Sequence, residues 1–114
     1  MKNILCIVNP VSGLKKSLKV YYELENTIKE YGFVPRLLQT KYAGHARKVV
    51  SELQSDQFDR ILIFGGDGTV NEVVNGLYQS DLCSFFPIGI IPTGSGNSVI
   101  HDIDCLDYNL SLIH

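Results

Sequence analysis

Apolar residues along this chain fall into two kinds of run that alternate. Ile4-Leu5-Cys6-Ile7-Val8, Arg60-Ile61-Leu62-Ile63-Phe64 and Pro87 to Ile91 are short, continuous and rich in β-branched residues. That is the pattern of strands covered on both faces, as in a parallel sheet. Phe33 to Thr40 reads as a further strand, and Pro35 restricts it to an edge or to an irregular start. Between the strands the spacing changes. From Lys15 to Tyr31, Val20, Leu24 and Ile28 stand four apart with Tyr21 and Tyr31 beside the stripe, which predicts an amphipathic helix ended by Gly32. Ala46, Val49, Val50 and Leu53 predict a second helix from near Gly44, and Val70, Val73, Val74 and Leu77 a third. A short helix is expected from Asn97 through Ile103, and beyond Asp104 the pattern fades.

Strands alternating with helices imply right-handed βαβ crossovers. The expected fold is therefore α/β: a three-layer, doubly wound, mainly parallel, Rossmann-like sheet. Ligands of such sheets sit at the carboxyl ends of the strands. The glycine-bearing turns after the first, third and fourth strands would all lie on that one edge.

Composition narrows the picture without changing it. A chain of 114 residues, 45% hydrophobic and 19% charged, suits one domain with one core. A formal net charge of -2 gives no broad attraction to nucleic acid or to an anionic membrane, so a bound phosphate must be held locally. The opening apolar run is too short for a signal peptide, and no stretch of about eighteen apolar residues could span a bilayer. A soluble, cytoplasmic protein is expected. Cys6, Cys83 and Cys105 are scattered and odd in number, which argues against a disulfide framework or a zinc site; Cys6 reads as core filler.

The strand ends carry the candidate chemistry. Gly65-Gly66-Asp67-Gly68-Thr69 lies between a buried strand and a helix. Glycines there let backbone approach a ligand, and a helix start directs N–H groups at an anion. The blander alternative is a tight turn with Thr69 capping the helix. Asp67 sits awkwardly beside a phosphate unless a cation intervenes, which points to Mg2+. Glu72 could act in the same region or favour the first helical turn. Asn9-Pro10-Val11-Ser12-Gly13 offers an amide, a hydroxyl and a glycine turn at the first strand's end; Thr93-Gly94-Ser95-Gly96-Asn97 repeats the logic at the fourth. Either could also be an ordinary turn. His45 could bond a phosphate when protonated, although lone histidines at such positions commonly cap or face solvent. Glycines are misplaced for a dinucleotide fingerprint, a P-loop or a nucleophile elbow, and no nucleophile with an adjacent base stands out.

Read in order, Asn9 to Gly13, Thr40 with Gly44-His45-Ala46, Gly65 to Leu77 and Pro92 to Asn97 resemble the diacylglycerol kinase catalytic domain family. The resemblance runs from Ile4 to about Asp104. It implies the fold of the N-terminal domain of diacylglycerol and NAD kinases, ATP as phosphoryl donor with Mg2+, and a lipid hydroxyl as acceptor. Carried over, Asn9, Pro10, Ser12, Gly13, Thr40, Gly65, Gly66, Asp67, Gly68, Thr69, Glu72, Thr93, Gly94, Ser95, Gly96 and Asn97 form the nucleotide site. Asp67 is the candidate catalytic carboxylate, acting through the metal, and Glu72 acts there or holds the loop. Gly65 to Thr69 with Asn71-Glu72 match bacterial lipid kinases, whereas Gly94 to Asn97 look sphingosine-kinase-like, which leaves a diacylglycerol or a sphingoid-base-like acceptor open.

In this family a β-rich domain follows, completing the lipid cleft and supplying the general base. The expectation is that residues 1–114 are the nucleotide-binding part, without that domain. Such a part would bind nucleotide weakly, phosphorylate lipid poorly by itself, touch membrane only within the full enzyme, and could self-associate through exposed apolar surface. The alternatives are a noncatalytic nucleotide-binding or assembly module and a small-molecule kinase of the NAD kinase type.

Overall fold

Alternate side chains of the strands point to opposite faces of one sheet. In the computed structural model, which describes residues 2–11, 15–93 and 101–103, Leu5, Ile7, Ile61, Ile63 and Ile88 join one buried cluster, while Ile4, Cys6, Val8, Leu62, Phe64 and Ile91 join another. Two-sided burial is what the continuous apolar runs predict.

The strands are β1 (Lys2–Val8), β2 (Phe33–Gln39), β3 (Arg60–Phe64), β4 (Ile88–Ile91) and β5 (His101–Ile103), in spatial order β2-β1-β3-β4-β5. The first four are mutually parallel: Val8 pairs with Gln39 on one side and Phe64 on the other, and Phe64 pairs with Ile91. Pro35 is tolerated because β2 is an edge strand. Helix α1 (Ser17–Glu30) covers one face through Tyr21 and Ile28; α2 (His45–Ser51) and α3 (Asp67–Gln79) cover the other through Ala46, Val50, Val70, Val73, Val74 and Leu77. The result is the expected three-layer α/β sheet. The chain moves outward from β1 to β2, then returns past β1 to β3, so the order reverses between β1 and β3. Their carboxyl ends flank the crevice where doubly wound sheets bind ligands.

Two expectations are corrected. Residues 101–103 form a strand, antiparallel to β4 with Ile88 opposite Ile103, and not the end of a helix. Short apolar runs are ambiguous between the two states, and here pairing satisfies β4's outer edge. Tyr31 is the C-cap of α1, with its side chain 78% exposed, and so lies off the apolar stripe. Gly32 ends the helix as anticipated, with φ of +89°. No helix among the described residues is long and apolar enough to cross a membrane.

Candidate functional site

Each strand on the crevice side of the sheet delivers its turn to the same edge. After β1, the Asn9 side-chain oxygen accepts a hydrogen bond from the Val11 N–H at 3.2 Å and closes a turn over Pro10. After β2, the Thr40 N–H donates to the Val8 carbonyl at 2.9 Å, holding Thr40 beside the end of β1. After β3, the chain passes through buried Gly65 to Gly66, the N-cap of α3, and Asp67, Gly68 and Thr69 form the first helical turn. A cleft of about 280 Å3 joins these turns, lined by Asn9, Val11, Thr40, Lys41, Tyr42, Ala43, Ala46, Thr69 and Glu72.

Asn9, Thr40, Thr69 and Glu72 are thus brought together as expected, with Pro10 in the turn beside them. Gly66, Asp67 and Gly68 are exposed around the start of α3. A helix N-terminus there presents amide N–H groups and the positive end of the helix dipole, and so suits an anion such as phosphate. An added Cβ at Gly66 or Gly68 would meet nothing within 4 Å, and neither residue has a positive φ. Among the described residues, neither crowding nor backbone conformation demands glycine at those two places. Thr69 is not the cap. It is 5% exposed, and its backbone belongs to the helix that Gly66 opens.

Glu72 and His45 both hold the turn between β2 and α2. The Gly44 N–H donates to Glu72 Oε1 at 3.1 Å, tying α3 to the start of α2, where Gly44 has the φ of +91° that only glycine adopts easily. The Lys41 N–H donates to His45 Nδ1 at 3.0 Å. His45 therefore organises the turn as an acceptor in this arrangement.

Thr93 lies just past the end of β4, outside the residues that line the cleft. It is 4% exposed, and its hydroxyl lies 2.9 Å from that of Ser17, itself fully buried. The pair ties the end of β4 to the start of α1. Ser12, Gly13, Gly94, Ser95, Gly96 and Asn97 lie outside the described residues. Val11, Lys41, Tyr42 and Ala43 line the cleft without having been anticipated. The only signal for them in the sequence was nearness to Asn9 and Thr40, one to three residues along the same strand-end turns.

Residues 3–110 match the family model for the diacylglycerol kinase catalytic domain. The chain belongs to that family. Among its relatives, a Streptococcus pneumoniae protein, by name a lipid kinase, is 41% identical over 100 residues, which is 87% of this chain and 33% of that protein. The sphingoid long-chain bases kinase 1 of Arabidopsis thaliana is 39% identical over 102 residues, covering 85% of this chain and 13% of the kinase. The crystal structure of a diacylglycerol kinase from Bacillus anthracis superposes with a TM-score of 0.62 at 33% identity, covering 84% of this chain and 34% of that one. The chain thus spans about a third or less of the length of these relatives.

Proposed function

We propose that this chain is the nucleotide-binding part of a lipid kinase, holding ATP for transfer of its γ-phosphate to a lipid hydroxyl, of diacylglycerol or of a sphingoid-base-like lipid. The observation that carries the reading is the open approach to Gly66 and Gly68 at the head of α3, where the described residues give glycine no other reason. Phosphates fill that space and take up the helix's outward N–H groups. Asn9 and Thr40 hold the rest of the nucleotide along the cleft, and Glu72 keeps the α2 turn in place through Gly44.

Among the described residues no three His, Cys, Asp or Glu side chains gather into a metal site made by protein alone. The fit is instead to Mg2+ carried by the phosphates, which needs only one or two protein carboxylates besides water, and Asp67 at the exposed head of α3 is the residue to hold it. When bound, Mg2+ supplies charge neutralisation on the phosphates. A C-terminal β-rich domain brings the lipid and the general base, and the assembled enzyme works in the cytoplasm at a membrane surface.

Calorimetric titration with ATP and with NAD, each with and without Mg2+, tests the proposal. The expected result is saturable, Mg2+-dependent ATP binding, abolished in Asp67→Ala, with no efficient lipid phosphorylation by this chain alone. Failure to bind ATP, or preference for NAD, would overturn it.

A further inference from the structure

The mouth of the cleft carries two exposed apolar side chains, Val11 at 72% and Tyr42 at 56%, although both line its wall. Tyr42 is far from loose. Its ring stacks on the His45 ring with centroids 4.6 Å apart and planes 15° from parallel. His45 is itself fixed through the Lys41 N–H bond to Nδ1, and the Tyr42 carbonyl accepts from the His45 N–H at 3.1 Å. The Gly44 bond to Glu72 anchors the same turn to α3. An aromatic ring backed by a second ring, braced by three hydrogen bonds and open on a cleft wall is a platform for another flat π-system.

Its placement suits one end of a nucleotide. Tyr42 follows β2, whereas the Gly66–Thr69 helix start follows β3, and β1 lies between them. Two strand spacings separate the sites by roughly 10 Å, and the cleft runs continuously from Tyr42 to Thr69. A nucleotide with its phosphates at the head of α3 reaches back toward β2 with its sugar and base.

We propose that Tyr42 is the base-stacking residue of this site, with the ring backed by His45 on one side of the nucleobase and Val11 at the opposite lip. This inference rests on the proposed nucleotide function. Stacking accepts any π-face, so the platform favours large purines over pyrimidines and discriminates little between adenine and guanine. Tyr42 thereby sets how much affinity comes from the base as opposed to the phosphates.

The test compares Mg2+ complexes of ATP, GTP, CTP and tripolyphosphate binding to the wild-type chain, Tyr42→Ala and Tyr42→Phe. Stacking predicts ATP and GTP affinities that fall about tenfold in Tyr42→Ala and persist in Tyr42→Phe, with tripolyphosphate affinity the same in all three. Adenine proton resonances should also shift upfield on binding to the wild type and to Tyr42→Phe, but not to Tyr42→Ala. ATP binding indifferent to Tyr42→Ala, or tripolyphosphate binding reduced in step with ATP, overturns the stacking role and leaves the nucleotide reading standing. A wild-type chain that binds neither ATP nor tripolyphosphate overturns both.

Discussion

Gly68 and Gly76 stand on the same helix about two turns apart, and each costs that helix about 1 kcal/mol relative to alanine. Their surroundings differ completely. A Cβ at Gly76 would strike Val50 Cγ2 and lie 2.6 Å from the Arg47 carbonyl oxygen, because α2 crosses α3 there with backbone almost touching backbone. A Cβ at Gly68 would meet no atom of the described residues within 4 Å. The described fold therefore accounts for Gly76 and gives Gly68 no such neighbour; under the proposed function the space beside Gly68 takes the phosphate end of a nucleotide. The same residue type on one element separates what the chain needs in order to fold from what it keeps clear in order to bind.

The largest effect should come from closing the crowded position. Gly76→Ala forces α2 off α3 and is expected to cost about 3 kcal/mol, the upper part of the range for overpacking, a large share of the 5–15 kcal/mol typical of a domain. Urea unfolding measures it. A midpoint equal to wild type would mean that the helices can part cheaply, and the contrast with Gly68 would collapse.

How far these differences were legible in the sequence depends on whether a residue obeys a period. Val70, Val73, Val74 and Leu77 are buried as their spacing required, and the bounds of β3 match the run from Arg60 to Phe64. The site at the carboxyl edge followed from topology, since strand-end glycines must gather there in a parallel sheet. Spacing alone misplaces Tyr31 and β5, because local pattern does not decide between a stripe and a cap or between a helix and an edge pairing, and it does not show that the Thr93 hydroxyl meets that of Ser17. Lys41 and Tyr42 escaped notice for a related reason: a turn residue becomes a cleft wall only when another strand's turn is set opposite it. Gly76 was unreadable in the sequence, since its necessity lies in Val50 and Arg47 of another helix.

Thr93 sharpens the comparison, because a strand-end threonine in a glycine-rich motif looks like a ligand contact and is built like a core contact. Thr93→Val removes one hydrogen bond between two buried hydroxyls, at an expected cost of about 1.5 kcal/mol. Adding Ser17→Ala should cost less than the sum of the two single changes, because the bond they share is lost only once. A double-mutant cycle of urea midpoints measures the coupling. Strict additivity would sever the pair and return Thr93 to the ligand side.

Gly68→Ala is the converse of Gly76→Ala. With room for the methyl group and a better helix former in place, stability should hold or rise by up to about 1 kcal/mol. ATP affinity should nonetheless fall about tenfold, or about 1.4 kcal/mol, as the methyl group takes the phosphate's space. Calorimetry and urea unfolding on one preparation separate the two. Unchanged ATP affinity would remove the ligand's claim on Gly68.

The smallest effect at neutral pH lies on the sheet's other face and belongs wholly to the fold. Tyr21 is buried against Phe64 and donates its hydroxyl to Glu25 Oε2 at 2.9 Å. Burial first, then the bond to Glu25, pushes its hydroxyl well above the ordinary tyrosine range. Burial, and secondarily the charge of Glu25, pushes the Cys6 thiol up from 9.0 to about 12. Both groups keep their protons in the folded chain at a pH where the unfolded chain releases them. Their contribution to stability is therefore complete below about pH 9 and is lost progressively as the pH rises toward 12. Tyr21→Phe should cost about 1 kcal/mol at neutral pH for the lost hydrogen bond and make the alkaline decline shallower, whereas Gly68→Ala should leave that decline untouched. Urea midpoints measured between about pH 8 and pH 11 decide the matter: a flat profile in the wild type would mean that Cys6 and Tyr21 are open to solvent, and that the α1 face is not the sealed half against which the open cleft has been set.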